Sequence, residues 1–543
     1  MYFKNTSFRS KSKIFCSLAF NYHDSSVSFA FNNKVVLVLE AERIFREKKK
    51  CCNESEMEYL VKYGLNILGK NMEDIDFWSM TTFNNPFLNA EDIVDDLKIK
   101  EPFLKEISFF GLTKKVFITN HHISHAGLYF STKFKNSLII SCDGGGDIDP
   151  KTKTNECLAI FVGKNNSLSK IELDSRDFIT GKTYGICSTF LYGNELHSKN
   201  TVDGKFMALA GFGIPLDEYI NYLENVYKEI ESTDYPYVLD ILKNGKFKDL
   251  FASAKLESVD SKNFASSVQS FFIKKRLEDI DNIINKNKIK FKSIVLVGGV
   301  GLNLELNTEI LNKYNKKIFI PPCCDDTGQS LGSLCLLILE VLNKRPEVDF
   351  PYLGEGEEKV LYTKADLKKI TEALIKDAIV IVHNGRSEIG PRALGNRSFL
   401  IKPDNLFLRD KLSQRIKQRE SYRPVAPIVL DNKISDYFIG PKESRFMLYK
   451  YIVKDSKKEE IKGCVHIDGS ARVQSITRKQ NKFLFDLIKS YGKISGKYLL
   501  LNTSLNLKGI PLSNKIEDSL EIYEKISGEK CLVYNGKVIK SNI

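Results

Sequence analysis

Two apolar runs in the first 300 residues stop abruptly at glycine-dense turns. NSLIISC leads into Asp143-Gly144-Gly145-Gly146-Asp147, and SIVLV leads into Gly298-Gly299-Val300-Gly301-Leu302-Asn303. Short β-branched runs bounded by glycine read as buried strands, and glycine lets the chain turn tightly or bring backbone amides close to a ligand. Comparable runs lie at 115–120 and 156–163, and residues 17–45 read as strand, turn, strand with a turn at Asn32-Asn33. Helical stretches separate most of these runs, so the chain is of the α/β class.

At 543 residues, the prior is roughly three to five folding units. The segment RPEVDFPYLGEGEEK is rich in Pro, Gly and Glu and has no periodicity, which places a domain boundary near residue 350. This gives units of 1–349 and 350–543. The second opens with a helix, TKADLKKITEALIKD, and a strand, AIVIVHNG. No repeat of 20–50 residues is visible. Lys plus Arg total 81 against 68 Asp plus Glu, a net +13. Spread over this length, the excess fits anionic small substrates better than a nucleic-acid surface. The eleven Cys include two adjacent pairs and no CxxC, which predicts thiols in a reducing cytoplasm rather than a disulfide framework or a zinc ribbon. The basic start reads as a tail before the first strand, not a signal peptide. No run is long enough for a membrane span, and SLGSLCLLILEVL reads as a buried helix.

Three of the seven His fall within five positions, in Asn120-His121-His122-Ile123-Ser124-His125. If a helix begins at Asn120, His121 and His125 share a face and can grip one metal ion. The second position holds no Glu, so this is not a zinc-protease motif. The turn Cys324-Asp325-Asp326-Thr327-Gly328 opens a helix and can add a carboxylate. Together with the glycine turns, these features resemble the phosphate and adenosine loops of the actin and sugar-kinase ATPase fold. The C-terminal part concentrates Arg beside Gly and Pro: EIGPRALGNRS contains Arg392, and IKQRESYRP contains Lys417, Arg419 and Arg423. HIDGSAR contains Arg472, and NTSLN contains Asn502 and Ser504. Guanidinium groups beside amide and hydroxyl donors suit a phosphate or carboxylate dianion.

HHISHA, DGGGD, DGKFMALAGFG, GGVGLNLELN, DTGQSLG, EIGPRALGNRS, KQRESYRPVAP, HIDGSARVQ and NTSLN, in this order, resemble the O-carbamoyltransferase family of nodulation-factor and antibiotic-tailoring enzymes. The resemblance runs from about residue 17 to the end. It implies an actin/sugar-kinase-like ATPase fold of two lobes in 1–349, similar to threonylcarbamoyl transferases, followed by a smaller YrdC-like α/β domain in 350–543. It further implies that the C-terminal site joins carbamoyl phosphate and ATP into carbamoyl-adenylate. An internal passage then delivers this to an N-terminal site, where a hydroxyl of a small metabolite, sugar or nucleoside takes the carbamoyl group and AMP leaves.

By the same resemblance, Arg392, Lys417, Arg423 and Arg472 neutralise phosphates, and Asn502 and Ser504 orient them. His121, His125 and Asp326 hold a metal, Fe2+ or another divalent ion. Asp143, Gly144, Gly145, Lys205, Gly298, Gly299 and Asn303 face the nucleotide. His23, in the NYHDSS turn, is the candidate general base, with a strand-end hydrogen bond as its alternative role. A homodimer is a candidate assembly. The chain departs from the family pattern at Gly509-Ile510-Pro511, where Glu-Pro is usual, and in stretches 84–118 and 214–290, so the acceptor does not carry over. A tRNA threonylcarbamoylation enzyme and an inactive ATP-binding scaffold are the competing readings.

Overall fold

Strands whose residues are buried on both faces read as continuous apolar runs, and the six residues of β1 (Ile14–Ala19) are all buried. A computed structural model describes residues 12–88, 102–147, 156–173, 180–192, 202–230 and 258–543. The basic tail before residue 12 lies outside the described residues, as do 89–101 and 231–257 of the two motif-poor stretches. The chain divides into two compact units, Met1–Phe45 with Lys49–Asp349, and Arg46–Lys48 with Phe350–Ile543.

The first unit contains two sheets. In one, β1 pairs antiparallel with β2 (Ser26–Phe31), and β2 with β3 (Lys34–Glu40). On its other side, β1 runs parallel to β4 (Phe77–Thr81), and β4 to β6 (Leu112–Thr119), with β5 (Phe103–Phe109) antiparallel at the edge. The order is β3-β2-β1-β4-β6-β5. In the second sheet, β7 (Asn136–Cys142) starts the antiparallel run with β8 (Leu158–Lys164) and β9 (Ser167–Lys170). It is extended by parallel β10 (Ser293–Val297) and β11 (Lys317–Phe319), giving β11-β10-β7-β8-β9. Both sheets thus repeat one plan: an antiparallel meander whose first strand continues into parallel neighbours. This is the two-lobed α/β arrangement expected of an actin/sugar-kinase-like ATPase region.

Two helices join these sheets to the site. Helix α1 (His121–Gly127) starts directly after β6, and the Asn120 side chain accepts from the Ile123 amide at 2.8 Å as its N-cap. Helix α2 (Gln329–Leu342) is the apolar segment read as a buried helix, and its residues 329–338 are buried. The two helices meet glycine to glycine. A Cβ on Gly332 would overlap the Ser124 carbonyl, and one on Gly127 would overlap the Gly332 carbonyl. Hydroxyl pairs tie α2 to both sides of the first sheet: Ser330 Oγ lies 2.8 Å from Ser26 Oγ and from Ser28 Oγ, and Thr119 Oγ1 donates to Ser333 Oγ at 2.9 Å. These buried polar groups are therefore satisfied within the core.

The second unit is built on a seven-stranded mixed sheet. Its strands in chain order are β12 (Ile379–His383), β13 (Arg397–Ile401), β14 (Ala426–Leu430), β18 (Gln474–Ile476), β19 (Leu499–Ser504), β20 (Lys530–Tyr534) and β21 (Lys537–Ser541). The spatial order is β18-β14-β19-β13-β12-β20-β21, and the short strands β15 (Phe438–Ile439), β16 (Tyr451–Val453) and β17 (Ser470–Ala471) form a separate three-stranded sheet. Alternation sorts its side chains onto two cores: Ile379, Ile381, Phe399, Leu499 and Leu501 pack on one face, and Val380, Val382, Leu400 and Leu500 on the other. No disulfide joins any of the eleven Cys, and ten of them are buried. Among the described residues, no helix is long and apolar enough to cross a membrane.

Replacing Gly332 with Ala inserts a methyl where a backbone oxygen already sits. Overpacking of this kind costs about 1–3 kcal/mol, so G332A should unfold at lower denaturant concentration with an unchanged m-value. Wild-type unfolding of the variant would mean that the α1–α2 contact is looser than described.

Candidate active site

The first unit brings together four potential ligands. His121 and His125 project from α1, Asp143 follows the last residue of β7, and Asp326 lies in the turn that opens α2; one atom from each falls within 4.8 Å of all the others. His125 Nε2 is 3.2 Å from Asp326 Oδ1 and 3.4 Å from Asp143 Oδ2, and His121 Nε2 is 3.7 and 3.8 Å from the same atoms. Both imidazoles and Asp326 are buried. Burial opposes a charge on His125, but its hydrogen bonds to Asp143 and Asp326 outweigh it and push the ring up to about 9. Burial likewise opposes charge on Asp143, yet the two histidines hold it well below the usual carboxylate range. In this state a proton supplies the positive charge that two buried carboxylates require. A divalent cation would satisfy the same demand, and two imidazoles with two carboxylates are a fitting donor set for one.

The sequence placed Asp143 among the nucleotide contacts; the structure puts it with the histidines. Its Oδ2 accepts from the Gly299 amide at 2.8 Å and its Oδ1 from the Gly144 amide at 2.7 Å. Gly298 makes this approach feasible: its φ is +87°, a Cβ there would overlap the Cys142 carbonyl, and its amide donates to the Cys324 carbonyl at 2.6 Å. The paired glycine turns therefore fix a carboxylate, and Gly145 lies within the same 144–146 turn. Asn303 is occupied as well, since its Oδ1 caps the helix Leu304–Tyr314 and its amide pairs with Gln269. Lys205 sits on the helix Asp203–Ala210 with its ammonium 5.6 Å from the Tyr192 ring centre.

His122, between the two ligands, faces away, 2.7 Å from Ser141 Oγ and 2.8 Å from the Glu156 carbonyl. Burial and then the neighbouring His121 push it well below the ordinary histidine value. Asp147 was missed as a site residue: it accepts the His121 amide at 2.6 Å and the Thr82 hydroxyl at 2.8 Å, anchoring the start of α1. Its only sequence signal was its place closing the DGGGD turn. His23 lies in the turn after β1, with Nδ1 2.8 Å from Asp24 Oδ2 and 3.6 Å from Asp326 Oδ2. Burial works against its charge, but the Asp24 hydrogen bond and the Asp326 charge prevail and raise it to about 9.

The second unit gathers cations. Burial first, then Arg392, Arg419 and Arg423, push the Arg472 guanidinium well below its ordinary range. Burial, Arg423 and Arg392 bring Arg419 down to about 9. Arg392, Arg419, Arg423 and Arg472 thus form one mutually repelling set, partly relieved by Glu420 at 3.6 Å from Arg423. Arg419, one of the guanidinium groups of IKQRESYRP to which the resemblance assigns no phosphate, belongs to it, and its Nη2 donates to Ser504 Oγ at 3.2 Å. Lys417 follows a π-helical turn at Lys411–Ile416 and points its ammonium at Ser504 and Asn506, donating to Ser504 Oγ at 3.1 Å, to the Asn506 carbonyl at 2.8 Å and to Asn506 Oδ1 at 2.6 Å. It braces the NTSLN turn. Asn502 donates to the Ala393 carbonyl at 3.0 Å and to Gln474 Oε1 at 2.9 Å, supporting the segment next to Arg392. Glu388, fully buried, accepts the amides of Leu394, Asn396 and Arg397, so the loop wraps around its carboxylate. Arg397 spends its guanidinium on the carbonyls of Asn384, Asn396 and Gly385.

Residues 93–335 match the family model for the carbamoyltransferase N-terminus, and residues 371–540 match that for the carbamoyltransferase C-terminus. The chain belongs to the carbamoyltransferase family. An uncharacterized protein of Methanocaldococcus jannaschii is 29% identical over 95% of this chain and 98% of its own length. Nodulation protein NolNO of Sinorhizobium fredii is 26% identical over 92% of this chain and 76% of its own. A 3'-hydroxymethylcephem-O-carbamoyltransferase of Amycolatopsis lactamdurans is 28% identical over 77% of this chain and 80% of its own. In this carbamoyltransferase, the four-ligand cluster falls within the N-terminal match and the cation cluster within the C-terminal one, while His23 precedes both.

A set of mutually repelling guanidinium groups should be stabilised by any small dianion. Inorganic phosphate at ten times its Kd should add about 1.4 kcal/mol, read as a rise in melting temperature. In R472A the rise should shrink or vanish, while the phosphate-free variant should be no less stable than wild type because repulsion is relieved. A phosphate response that survives in R472A counts against this cluster as the anion site.

Proposed function

We propose that this carbamoyltransferase is an ATP-dependent O-carbamoyltransferase working through carbamoyl-adenylate, with adenylation in residues 350–543 and transfer in 1–349. The observation that carries the reading is the opposite electrostatic demand of the two clusters: crowded cations in one unit and crowded carboxylates with histidines in the other. Carbamoyl phosphate and ATP are strongly anionic, and Arg392, Arg419, Arg423 and Arg472 would bind and orient their phosphates while water cleaves carbamoyl phosphate to carbamate and phosphate and a carbamate oxygen then displaces pyrophosphate at the α-phosphorus of ATP. Lys417, Asn502 and Ser504 would keep the loops under these guanidinium groups in place.

In the first unit, His121, His125, Asp143 and Asp326 would hold a divalent ion, with Fe2+ the proposed occupant, which would anchor and neutralise nucleotide phosphate oxygens. The acceptor hydroxyl would attack the carbamoyl carbon as AMP leaves, and His23 would take the hydroxyl proton. Raised to about 9, His23 keeps its own proton near neutrality as long as Asp24 and Asp326 both hold it. Engaging Asp326 elsewhere withdraws one of these carboxylates and lowers the ring from that value, while the Asp24 hydrogen bond remains to orient it. The acceptor is a hydroxylated small molecule, and cysteines without disulfides suit a reducing cytoplasm.

Protein supplied with ATP, carbamoyl phosphate and labelled pyrophosphate should exchange label into ATP; folded protein without exchange rejects the adenylation step. H23N should retain this exchange and lose transfer by about 10²–10⁴-fold. H121A and H125A should lose bound metal, read by elemental analysis, while retaining exchange. Loss of exchange in these variants would reject two separable sites.

A further inference from the structure

One carboxylate stands among the crowded guanidinium groups of the second unit. Glu420 lies in the loop between the π-helical turn and β14, one residue after Arg419 and three before Arg423. Its Oε2 is 3.6 Å from Arg423 Nη1, an ion pair too long for a hydrogen bond, and its backbone carbonyl accepts the Arg423 amide at 3.1 Å. Its charge partly offsets what burial, Arg423 and Arg392 do to Arg419. Among the described residues whose charges act on Arg419, Arg472 and Lys417, it is the one carboxylate.

A carboxylate here works against phosphate binding, because it repels the dianion that the guanidinium groups attract. What it adds is a hydrogen-bond acceptor. Arg and Lys side chains only donate, and so does the amino group of a carbamoyl moiety, so a site lined by cations alone offers that group nothing. Leaving an N–H unmet once water is excluded is costly. The other oxygens beside the cations are spent: Ser504 Oγ takes Lys417 at 3.1 Å and Arg419 at 3.2 Å and donates to Asn506 Oδ1 at 2.7 Å, which also takes Lys417 at 2.6 Å. Asn502 Oδ1 has no hydrogen-bond partner among the described residues, but Asn502 is 1% exposed, sealed against the Ala393 carbonyl and Gln474. The Glu420 side chain is 23% exposed, and a carboxylate offers about four acceptor positions, so it can take a ligand N–H while it stays paired with Arg423.

We infer that Glu420 accepts the amino group of the carbamoyl moiety and makes the second unit select carbamoyl phosphate over phosphates that lack an N–H. This rests on the adenylation reading proposed above. The same contact suits the carbamate that precedes the adenylate: with its nitrogen held by Glu420, a carbamate oxygen is the atom left to meet the α-phosphorus. Charge and recognition act in opposite directions at this one residue. The carboxylate weakens the site for every anion and compensates only the one that carries an amino group.

The test uses the full chain and two stable phosphonates of similar shape, phosphonoacetamide and acetonylphosphonate, which differ by an amino group against a methyl, with binding measured by calorimetry. Wild type should bind phosphonoacetamide about tenfold more tightly than acetonylphosphonate. E420A should bind acetonylphosphonate about threefold more tightly than wild type does, because a negative charge is gone, and should show no preference between the two ligands. E420Q keeps an acceptor oxygen without the charge, so it should share the tighter binding and retain part of the preference. An equal effect of E420A on both ligands overturns the inference and leaves Glu420 as a counter-ion of the arginines; a wild-type chain without preference overturns it as well. If E420A does not fold, E420M serves under the same criterion. A wild-type chain that binds neither phosphonate overturns the adenylation reading on which the inference stands.

Discussion

The first unit depends on how closely two helices approach. His121 and His125 lie on α1, Asp326 opens α2, and the distance between them is set where Gly127 and Ser124 meet Gly332 backbone to backbone. Any side chain there pushes apart elements that must converge to a few ångströms. The hydroxyl pairs around Ser330 and Ser333 hold α2 on the first sheet, so the position of Asp326 is determined from below by β2 and β6. Asp143 arrives from the second sheet by the same logic: Gly298 lets β10 crowd β7, and the amide that follows fixes the carboxylate.

The clusters in the two units are electrostatic opposites. Around His125, two carboxylates converge on the imidazoles, and a proton is retained at a pH where histidine is normally neutral. Around Arg472, guanidinium groups are buried together so that even their strong basicity is reduced. Neither arrangement serves folding, since each leaves like charges facing one another. Each would be relieved by a ligand of the missing sign, which is the physical ground for reading both as candidate binding sites.

Much of this was legible in the sequence. A helix begun at Asn120 puts His121 and His125 on one face, as the structure has it, and glycine after β-branched runs marks the strand ends. The duplicated strand plan was not legible, because it repeats over more than a hundred residues in the order of pairing and leaves no short sequence period. Residue type alone also does not show which contacts a side chain makes within the fold. Asn303 looked like a nucleotide contact and caps a helix; Lys417 looked like a phosphate ligand and braces a turn; Arg392 and Arg397, five positions apart, differ only in that one joins the cation set and the other is consumed by carbonyls. Asp147 holds the start of α1 by accepting the His121 amide, and only three-dimensional proximity reveals that.

The loop around Glu388 carries a consequence for how such a chain can change over time. Three amides within residues 394–397 converge on one carboxylate sealed from water, and the neighbouring Ala393 and Leu394 carbonyls are held by Asn502 and Gln474. Each member is constrained by the same few atoms, so altering one strands the others. A substitution in a stretch built this way disturbs the partners of several other residues at once, so changes within these eleven residues have to come together if the loop is to keep its shape.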